Sequence, residues 1–274
     1  MCGRYASSSR PEDLVEEFEV VENRVGTALE ADFNVAPSKE VYAVLERPAR
    51  TGADGGRQPQ ARQLRTVRWG LVPSWAKDPS IGNRMINARV ETAGEKPAFR
   101  KAFRTRRCLL PADGYYEWYA PGDDAAPRGR AGKPLKQPYF IRPADGSVLA
   151  MAGLFEIWRD PTLPHDHPNP FRWTCTVLTT TATDELGHIH ERMPMMVTAD
   201  SRDAWLDPTF EDPERVRALL TPATPGTLEA YPVSRAVNDV RNNGAHLIDP
   251  LPVEEGGPSA GPGEQLNLIG DQDL

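Results

Sequence analysis

Residues 107–119, RCLLPADGYYEWY, carry the pattern that decides the fold. Residues 107–110 and the aromatic run at 115–119 are each typical of a β-strand. Ala112, Asp113 and Gly114 between them have the composition of a turn. The stretch therefore predicts two consecutive strands on either side of a turn.

The rest of the chain repeats this arrangement of short strands with few helices. Apolar residues recur at helical spacing in 12–20, 200–205 and 213–220, which predicts three helices. Alternating or β-branched runs predict further strands at 40–45, 65–71, 137–142, 147–158, 174–181 and 228–233. Because strands and helices do not alternate as βαβ units, the predicted fold class is α+β, with antiparallel sheet and a few flanking helices.

Long polar loops separate some of the strands. Residues 48–60, 121–134 and 160–170 are rich in Pro, Gly or Asp, and each interrupts strands at hairpin spacing. We interpret them as insertions in a single domain, at 2–252. Residues 253–274 contain many Gly and Pro, five acids and no Lys or Arg, and are predicted to form an acidic, disordered tail.

The composition argues against several classes of protein. No run of about 18 apolar residues suggests a membrane span. The start, MCGRYASSSRPEDL, lacks the apolar region of a signal peptide. Three widely spaced cysteines cannot form a disulfide framework or a four-cysteine zinc site. We therefore expect a soluble, cytoplasmic and monomeric protein.

The net charge of −7 does not exclude nucleic acid as a partner, because the charge is unevenly distributed. Residues 253–274 hold five of the seven net negative charges. Residues 84–107 hold eight basic and only two acidic side chains. Such a local patch is compatible with a phosphate backbone, although on charge alone a solvated basic face is the favoured interpretation.

Cys2 is the most informative single position. Its side chain is small enough for Met1 to be removed, which would leave an amino-terminal cysteine. The α-amine has a reference pKa near 8 and the thiol one of about 8.5, so both can react near neutral pH. Together they can convert an aldehyde to an imine and then to a thiazolidine. Two alternatives are an amino-terminal nucleophile hydrolase and an unreactive cysteine at a frayed terminus.

Glu117 lies within a run of aromatic residues. If 115–119 is a strand, Tyr115, Glu117 and Tyr119 share one face, and Tyr116 and Trp118 share the other. A carboxyl group beside apolar rings is desolvated, which raises its pKa and suits it to acid–base catalysis. An exposed Glu on a half-buried strand is the alternative.

Two pairs of histidines are spaced by two residues. In a strand, His188 and His190 would share a face, but no third metal ligand is evident in the sequence. One of this pair could donate a proton or stabilise an oxyanion. His165 and His167 lie in a proline-rich loop and are expected to be solvated.

Two further motifs could contact a substrate. In an extended segment, Asn87, Arg89 and Glu91 face one way, where they could orient a substrate and bind a phosphate. Trp69 and Trp75 flank a turn and are either core residues or a platform for unpaired bases. Cys108 and Cys175 fit buried strand positions and are expected to be inert, as small apolar residues are.

Taken together, these motifs resemble those of the SOS response-associated peptidase (SRAP) family. The resemblance covers roughly residues 2–252, and the motifs occur in the family's order. They are MCGRY (1–5), FNVAP (33–37), WGLVPSW (69–75), INARVET (86–92), CLLPADGYYEW (108–118), HIHERMP (188–194) and VSRAVN (233–238). Each motif alone is weakly specific, but the ordered set around Cys2 is a strong signal. The resemblance implies a single SRAP-type domain with a barrel-like sheet.

The resemblance also implies a function. Family members trap abasic sites in single-stranded DNA by linking the amino-terminal cysteine to the opened sugar as a thiazolidine. By matching positions, Cys2 is the nucleophile and Asn87 positions the sugar and the amino terminus. Glu117 is the acid–base group for ring opening and imine steps, and His190 is a second proton-handling group. No metal or organic cofactor is implied.

Other residues would contact the DNA. By matching positions, Arg4 and Arg89 bind phosphates, and Pro37 and Trp69 lie in motifs that line the DNA face. The partner is then single-stranded DNA containing abasic sites, and the nucleoid is the site of action during DNA damage. The family's name also implies that the protein removes its own Met1.

Two rival functions remain open at this point. A thiol peptidase or amidohydrolase would use the same Cys2, Glu117 and His190 on a peptide or amide bond. A non-catalytic single-strand binder would use the arginines and tryptophans and would be indifferent to Cys2. Of the three interpretations, only covalent trapping of abasic sites predicts a stable adduct with an aldehyde-bearing oligonucleotide.

Overall fold

A computed structural model describes residues 2–48, 60–120, 135–182, 184–224 and 226–252. Within these ranges the strands are β1 (Tyr5–Ser7), β2 (Glu22–Asn23), β3 (Asp32–Val35), β4 (Glu40–Pro48), β5 (Gln60–Trp69), β6 (Asn87–Arg89), β7 (Arg107–Ala112), β8 (Gly114–Tyr119), β9 (Gln137–Pro143), β10 (Leu149–Arg159), β11 (Phe171–Thr181), β12 (Arg192–Pro194) and β13 (Leu228–Pro232). The α-helices are α1 (Pro11–Glu17), α2 (Val90–Ala93), α3 (Arg100–Thr105), α4 (Asp184–Gly187), α5 (Arg202–Leu206) and α6 (Pro213–Ala218). Short 3-10 helices lie at Pro79–Arg84, Ala199–Ser201, Arg235–Asn238 and Ala245–Ile248.

Five strands close into a barrel. Antiparallel pairing runs from β5 through β4, β7 and β10 to β11. β11 then pairs in parallel with β5, with Thr174 opposite Arg68 and Cys175 opposite Trp69, and this contact closes the ring. The predicted α+β fold with a barrel-like core is confirmed. The sequence had predicted antiparallel sheet, but three pairs of strands are parallel: β11–β5, β11–β6 and β2–β5.

A second, five-stranded sheet packs against the barrel. Its order is β13-β9-β8-β1-β3, and every neighbouring pair is antiparallel. Residues 107–119 pass from one sheet to the other, because β7 belongs to the barrel and β8 to the second sheet. The corner requires a glycine at 114, since a Cβ there would lie 2.6 Å from the carbonyl oxygen of Ile141. The two predicted strands exist, but they do not pair with each other.

Alternation along the barrel strands separates two cores. One set of side chains clusters with α1, α3, α5 and α6, which cover the outside of the barrel. The other set fills the inside, and it includes Trp69, Cys108 and Cys175 as buried residues. Cys2, Tyr5 and Tyr115 from the amino terminus and the second sheet join this inner cluster. The amino terminus therefore lies where the barrel interior meets the second sheet.

Several sequence predictions need correction. His188 and His190 lie in a turn after α4 and not in a strand, because residues 184–187 form a helical turn. The predicted helix at 200–205 begins as a 3-10 turn, Ala199–Ser201, and continues as α5. Most of the 48–60 loop, all of 121–134 and the tail at 253–274 lie outside the described residues. In the part of the chain that is described, no helix has both the length and the apolarity that crossing a bilayer requires.

Candidate active site around Cys2

The amino-terminal segment is held in place from both sides. Tyr5 in β1 pairs with Tyr115 in β8 and with Val35 in β3, so the chain enters the middle of the second sheet. The Cys2 side chain is fully buried. The Cys2 carbonyl oxygen accepts a 2.7 Å hydrogen bond from Nδ2 of Asn87. Asn87 is thus an anchor for the residue that carries the thiol.

β6 places Asn87 at this position. Its three residues pair in parallel with β11, with Asn87 opposite Val177 and Arg89 opposite Thr179. Asn87 and Arg89 therefore point to the same side of a strand that is fixed to the barrel wall. Asn87 is half-buried beside Cys2, whereas Arg89 is exposed.

Glu117 brings a buried carboxyl group to the same region. It lies in β8 opposite Tyr139 of β9, and only 3% of it is exposed. Tyr116 packs into a separate apolar cluster on the other side of the sheet, as the predicted alternation requires. Burial raises the pKa of Glu117 to about 7. At neutral pH the carboxyl group is therefore present in both its acid and its base form.

The Cys2 thiol is kept protonated by its surroundings. Burial, with a smaller contribution from the charge of Glu117, raises the pKa of the thiol well above its usual range. The thiolate is the nucleophilic form of cysteine, so sulfur attack here needs a group that accepts the proton. A carboxyl group with a pKa of about 7 is suited to that task.

A hydrogen bond from the backbone two residues later holds the His190 ring in place. Nδ1 accepts a 3.0 Å hydrogen bond from the backbone N–H of Arg192. Burial lowers the pKa of His190, so the ring is neutral near pH 7. Because Nδ1 is the acceptor, the neutral ring carries its proton on Nε2. His190 lines a small pocket with Tyr115 and Glu117, whereas His188 is exposed.

An ion pair between a buried arginine and an exposed glutamate connects two of these segments. Glu91 and Arg192 form a bidentate pair, with N–O distances of 2.7 and 3.0 Å. The same guanidinium donates to the carbonyl oxygen of Thr179, and its hydrogen bonds lower the pKa of Glu91. The pair ties the segment that carries Asn87 to the one that carries His190. Sequence reasoning missed it, because the two motifs lie 101 residues apart and neither one indicates its partner.

Arg4 and Arg89, the two arginines expected to bind phosphates, have different surroundings in the structure. Arg4 donates hydrogen bonds to Oδ1 of Asn34 at 2.5 Å and to the carbonyl oxygen of Val237 at 2.8 Å. Its guanidinium also lies 6.0 Å from the centre of the Trp118 ring. Arg4 therefore has a structural role, joining the amino terminus to the 3-10 helix Arg235–Asn238. Pro37 is half-buried in a turn.

The Trp69 ring is buried, and the expectation that its motif lines a DNA-facing surface stays a prediction. Trp69 is 1% exposed, and its Nε1 donates a hydrogen bond to the carbonyl oxygen of Ile86. It packs in a tilted arrangement against Tyr5, with the ring centres 5.2 Å apart. Its ring is part of the inner core and offers no free face to a base. Trp75 in the same motif is 59% exposed and lines a surface pocket with Lys77 and Arg84. The sequence had left both tryptophans open as core residues or stacking residues.

Metal ligands do not converge here. Among the residues that the structure describes, no three His, Cys, Asp or Glu side chains are grouped in a way that could hold a metal ion. The arrangement instead collects a buried cysteine, an amide, a neutral imidazole and a carboxyl group of raised pKa. These groups can move protons around a nucleophile.

The buried carboxyl group has a measurable consequence for stability. The folded-state pKa of about 7 lies above the unfolded value of roughly 4.3, so stability falls as the pH rises from about 4.5 to 7. A shift of this size corresponds to roughly 4 kcal/mol. We expect Glu117→Gln to lack this decline, so its melting temperature should exceed that of the parent by several degrees at pH 8.5 and by much less at pH 5. Scanning calorimetry at both pH values measures the difference, and equal differences would show that the carboxyl group is not desolvated.

Comparison with known proteins agrees with this geometry. The family described as SOS response associated peptidase (SRAP) matches residues 1–240. The abasic site processing protein YoqW of Bacillus subtilis (strain 168) is 36% identical over 249 residues, covering 91% of this chain and 99% of that protein. The abasic site processing protein YedK of Escherichia coli (strain K12) is 31% identical over 255 residues, covering 92% and 100%. A crystal structure of a Bacteroides thetaiotaomicron protein shares the fold, with a TM-score of 0.68 and 23% identity, and covers 91% of this chain and 100% of that one. The chain belongs to the SRAP family.

Proposed function

We propose that this protein recognises abasic sites in single-stranded DNA and joins the lesion covalently to Cys2. The observation that carries the proposal is the convergence of Asn87, Glu117 and His190 around a buried cysteine at the second position of the chain. The relatives named as abasic site processing proteins support the choice of an abasic sugar as the substrate. Residues 2–252 would form the functional domain.

The chemistry needs only the amine and the thiol of a Cys2 freed from Met1. The amine adds to the aldehyde carbon of the opened sugar, and loss of one water gives an imine. Sulfur then adds to the same carbon, and its proton is transferred to the nitrogen. The product is a thiazolidine ring, and no oxidation or reduction takes place. A ring of this kind is far more stable than the imine.

The surrounding residues have separate roles in this scheme. Asn87 holds the carbonyl group of Cys2 and so fixes both nucleophiles. Glu117 gives a proton to the sugar ring oxygen as the ring opens and accepts the thiol proton later, which a pKa of about 7 allows. His190 carries a proton on Nε2 and can donate it to the hydroxyl group that leaves as water.

Exposed residues outside the buried site would bind the DNA strand. Arg89 lies on the side of β6 that also carries Asn87, and its guanidinium is free to reach a phosphate. The exposed ring of Trp75 can stack on an unpaired base. Arg4 and Pro37 would act from the framework around Cys2, and Arg4 would do so through its bonds to Asn34 and Val237.

Intact mass before and after reaction tests the proposal. We expect the purified chain to lack Met1, because the scheme needs a free Cys2 amine. After incubation with single-stranded DNA holding one abasic site, the mass should rise by the mass of the DNA minus one water. The matched control is the same oligonucleotide with an intact base. A peptidase with no affinity for aldehydes would give no adduct, and a chain that retains Met1 yet forms the adduct would rule out the thiazolidine.

Arg89→Ala should weaken binding to single-stranded DNA. Loss of one phosphate contact should reduce the slope of log K against log salt concentration by about 0.7. Arg100→Ala is the matched control, because Arg100 is also exposed but lies on α3, which covers the outside of the barrel. Fluorescence anisotropy over a range of salt concentrations measures both slopes. Equal slopes for Arg89→Ala and the parent would place the DNA strand elsewhere.

A further inference from the structure

The hydroxyl group of Tyr115 is buried without a hydrogen-bond partner. Its oxygen is inaccessible to solvent and has no partner among the residues that the structure describes. The neighbouring Tyr116 differs, because its hydroxyl donates a 2.7 Å bond to the carbonyl oxygen of Phe33. Leaving a buried hydroxyl unpaired destabilises a fold, so such a group calls for an explanation.

Tyr115 lies among the residues of the candidate site. It is two residues before Glu117 on the same face of β8, and it sits opposite Tyr5 in β1. It packs in the same apolar cluster as Cys2. With Glu117 and His190 it also lines a small pocket. The unpaired hydroxyl is therefore close to the reacting groups and remote from solvent.

A second unpaired polar atom belongs to Asn87, which contacts Cys2. Nδ2 of Asn87 is occupied by the Cys2 carbonyl group, but Oδ1 of Asn87 is buried and, within the described residues, has no partner. Asn87 contacts Cys2 directly, and Tyr115 packs in the same apolar cluster as Cys2. An acceptor and a donor left open near a nucleophile fit a ligand that carries hydroxyl groups.

We propose that Tyr115 is a substrate-binding residue that donates a hydrogen bond to a hydroxyl oxygen of the opened abasic sugar. This inference rests on the proposed function and names a further residue for it. Burial raises the pKa of Tyr115 well above its usual range, so the group stays protonated and acts as a donor. A hydroxyl group of the sugar supplies the hydrogen-bond partner that the fold does not. This hydrogen bond distinguishes an opened sugar from a simple aldehyde.

Tyr115→Phe separates this role from a structural one. The substitution removes only the hydroxyl oxygen. We expect adduct formation with abasic single-stranded DNA to slow about 10-fold, as loss of one hydrogen bond to the substrate does. The melting temperature of the unbound protein should rise, because an unpaired buried oxygen is lost. Tyr116→Phe is the matched control on the same strand, and it should lower the melting temperature while leaving the rate at the parental value.

A second substrate makes the test specific. The abasic sugar is replaced in the same oligonucleotide by an alkyl aldehyde without neighbouring hydroxyl groups. Parent and Tyr115→Phe should react with this substrate at equal rates. The inference is overturned if Tyr115→Phe matches the parent on abasic DNA, or if it slows both substrates equally. If the unsubstituted protein forms no adduct with either substrate, the proposed function itself is overturned. The role assigned to Tyr115 is then overturned as well.

Discussion

Cys2→Ala is expected to abolish the heat-stable adduct with abasic single-stranded DNA. The substitution removes the sulfur but leaves an α-amine at the amino terminus, because alanine also permits removal of Met1. The amine can still form an imine, so borohydride should trap a reduced adduct that is absent without the reductant. Denaturing electrophoresis after heating, with and without borohydride, gives both results.

Two other buried cysteines provide the control for this experiment. Cys108 and Cys175 share the inner cluster with Cys2 and are equally buried. Their alanine variants should retain the heat-stable adduct, because only Cys2 can place an amine and a thiol on the same carbon. A heat-stable adduct from Cys2→Ala would show that the linkage is not a thiazolidine.

The parts of the fold that follow from local alternation were predictable from the sequence. The run at 115–119 alternates between two environments, and the structure places Tyr115 in the inner cluster and Tyr116 in a separate one. The same local reasoning indicated that Glu117 would be desolvated. Burial of Glu117 depends on its immediate neighbours in the strand, so one strand of sequence is enough to suggest it.

Contacts between distant segments were not predictable in this way. Two residue pairs, Thr174 with Arg68 and Cys175 with Trp69, close the barrel by a parallel contact that no local pattern marks. The same closure buries the ring of Trp69. An exposed tryptophan and a buried one look alike in sequence, because both suit an apolar or an aromatic contact. Only the pairing of strands distinguishes them.

The site also contains polar groups whose meaning depends on three dimensions. Arg4 matched a phosphate-binding position by sequence, but its guanidinium holds Asn34 and Val237 together. The unpaired hydroxyl of Tyr115 could not be inferred at all, since satisfaction of a hydrogen bond is a property of the whole environment. For such polar groups, the role seen in the folded site differs from the role that the sequence motif suggests.

Glu117→Gln is expected to slow adduct formation by about 10²–10⁴-fold, the usual contribution of an acid–base group. The amide keeps the shape of the side chain but neither gives nor takes the proton. The rate of the parent should change with pH around 7, the pKa of Glu117, and this change should be absent from the variant. Single-turnover time courses at saturating protein, between pH 5.5 and 8.5, measure both effects.

The control for Glu117→Gln is Glu191→Gln, which makes the same change at an exposed carboxylate next to His190 and should leave the rate unaltered. A substrate whose aldehyde cannot close into a ring should show a smaller penalty for Glu117→Gln, because ring opening is one of the two steps assigned to this residue. An equal penalty on both substrates would restrict Glu117 to the thiol step. If Glu117→Gln reacts at the parental rate on abasic DNA, the buried carboxyl group is not the acid–base group, and its raised pKa reflects burial among aromatic side chains alone.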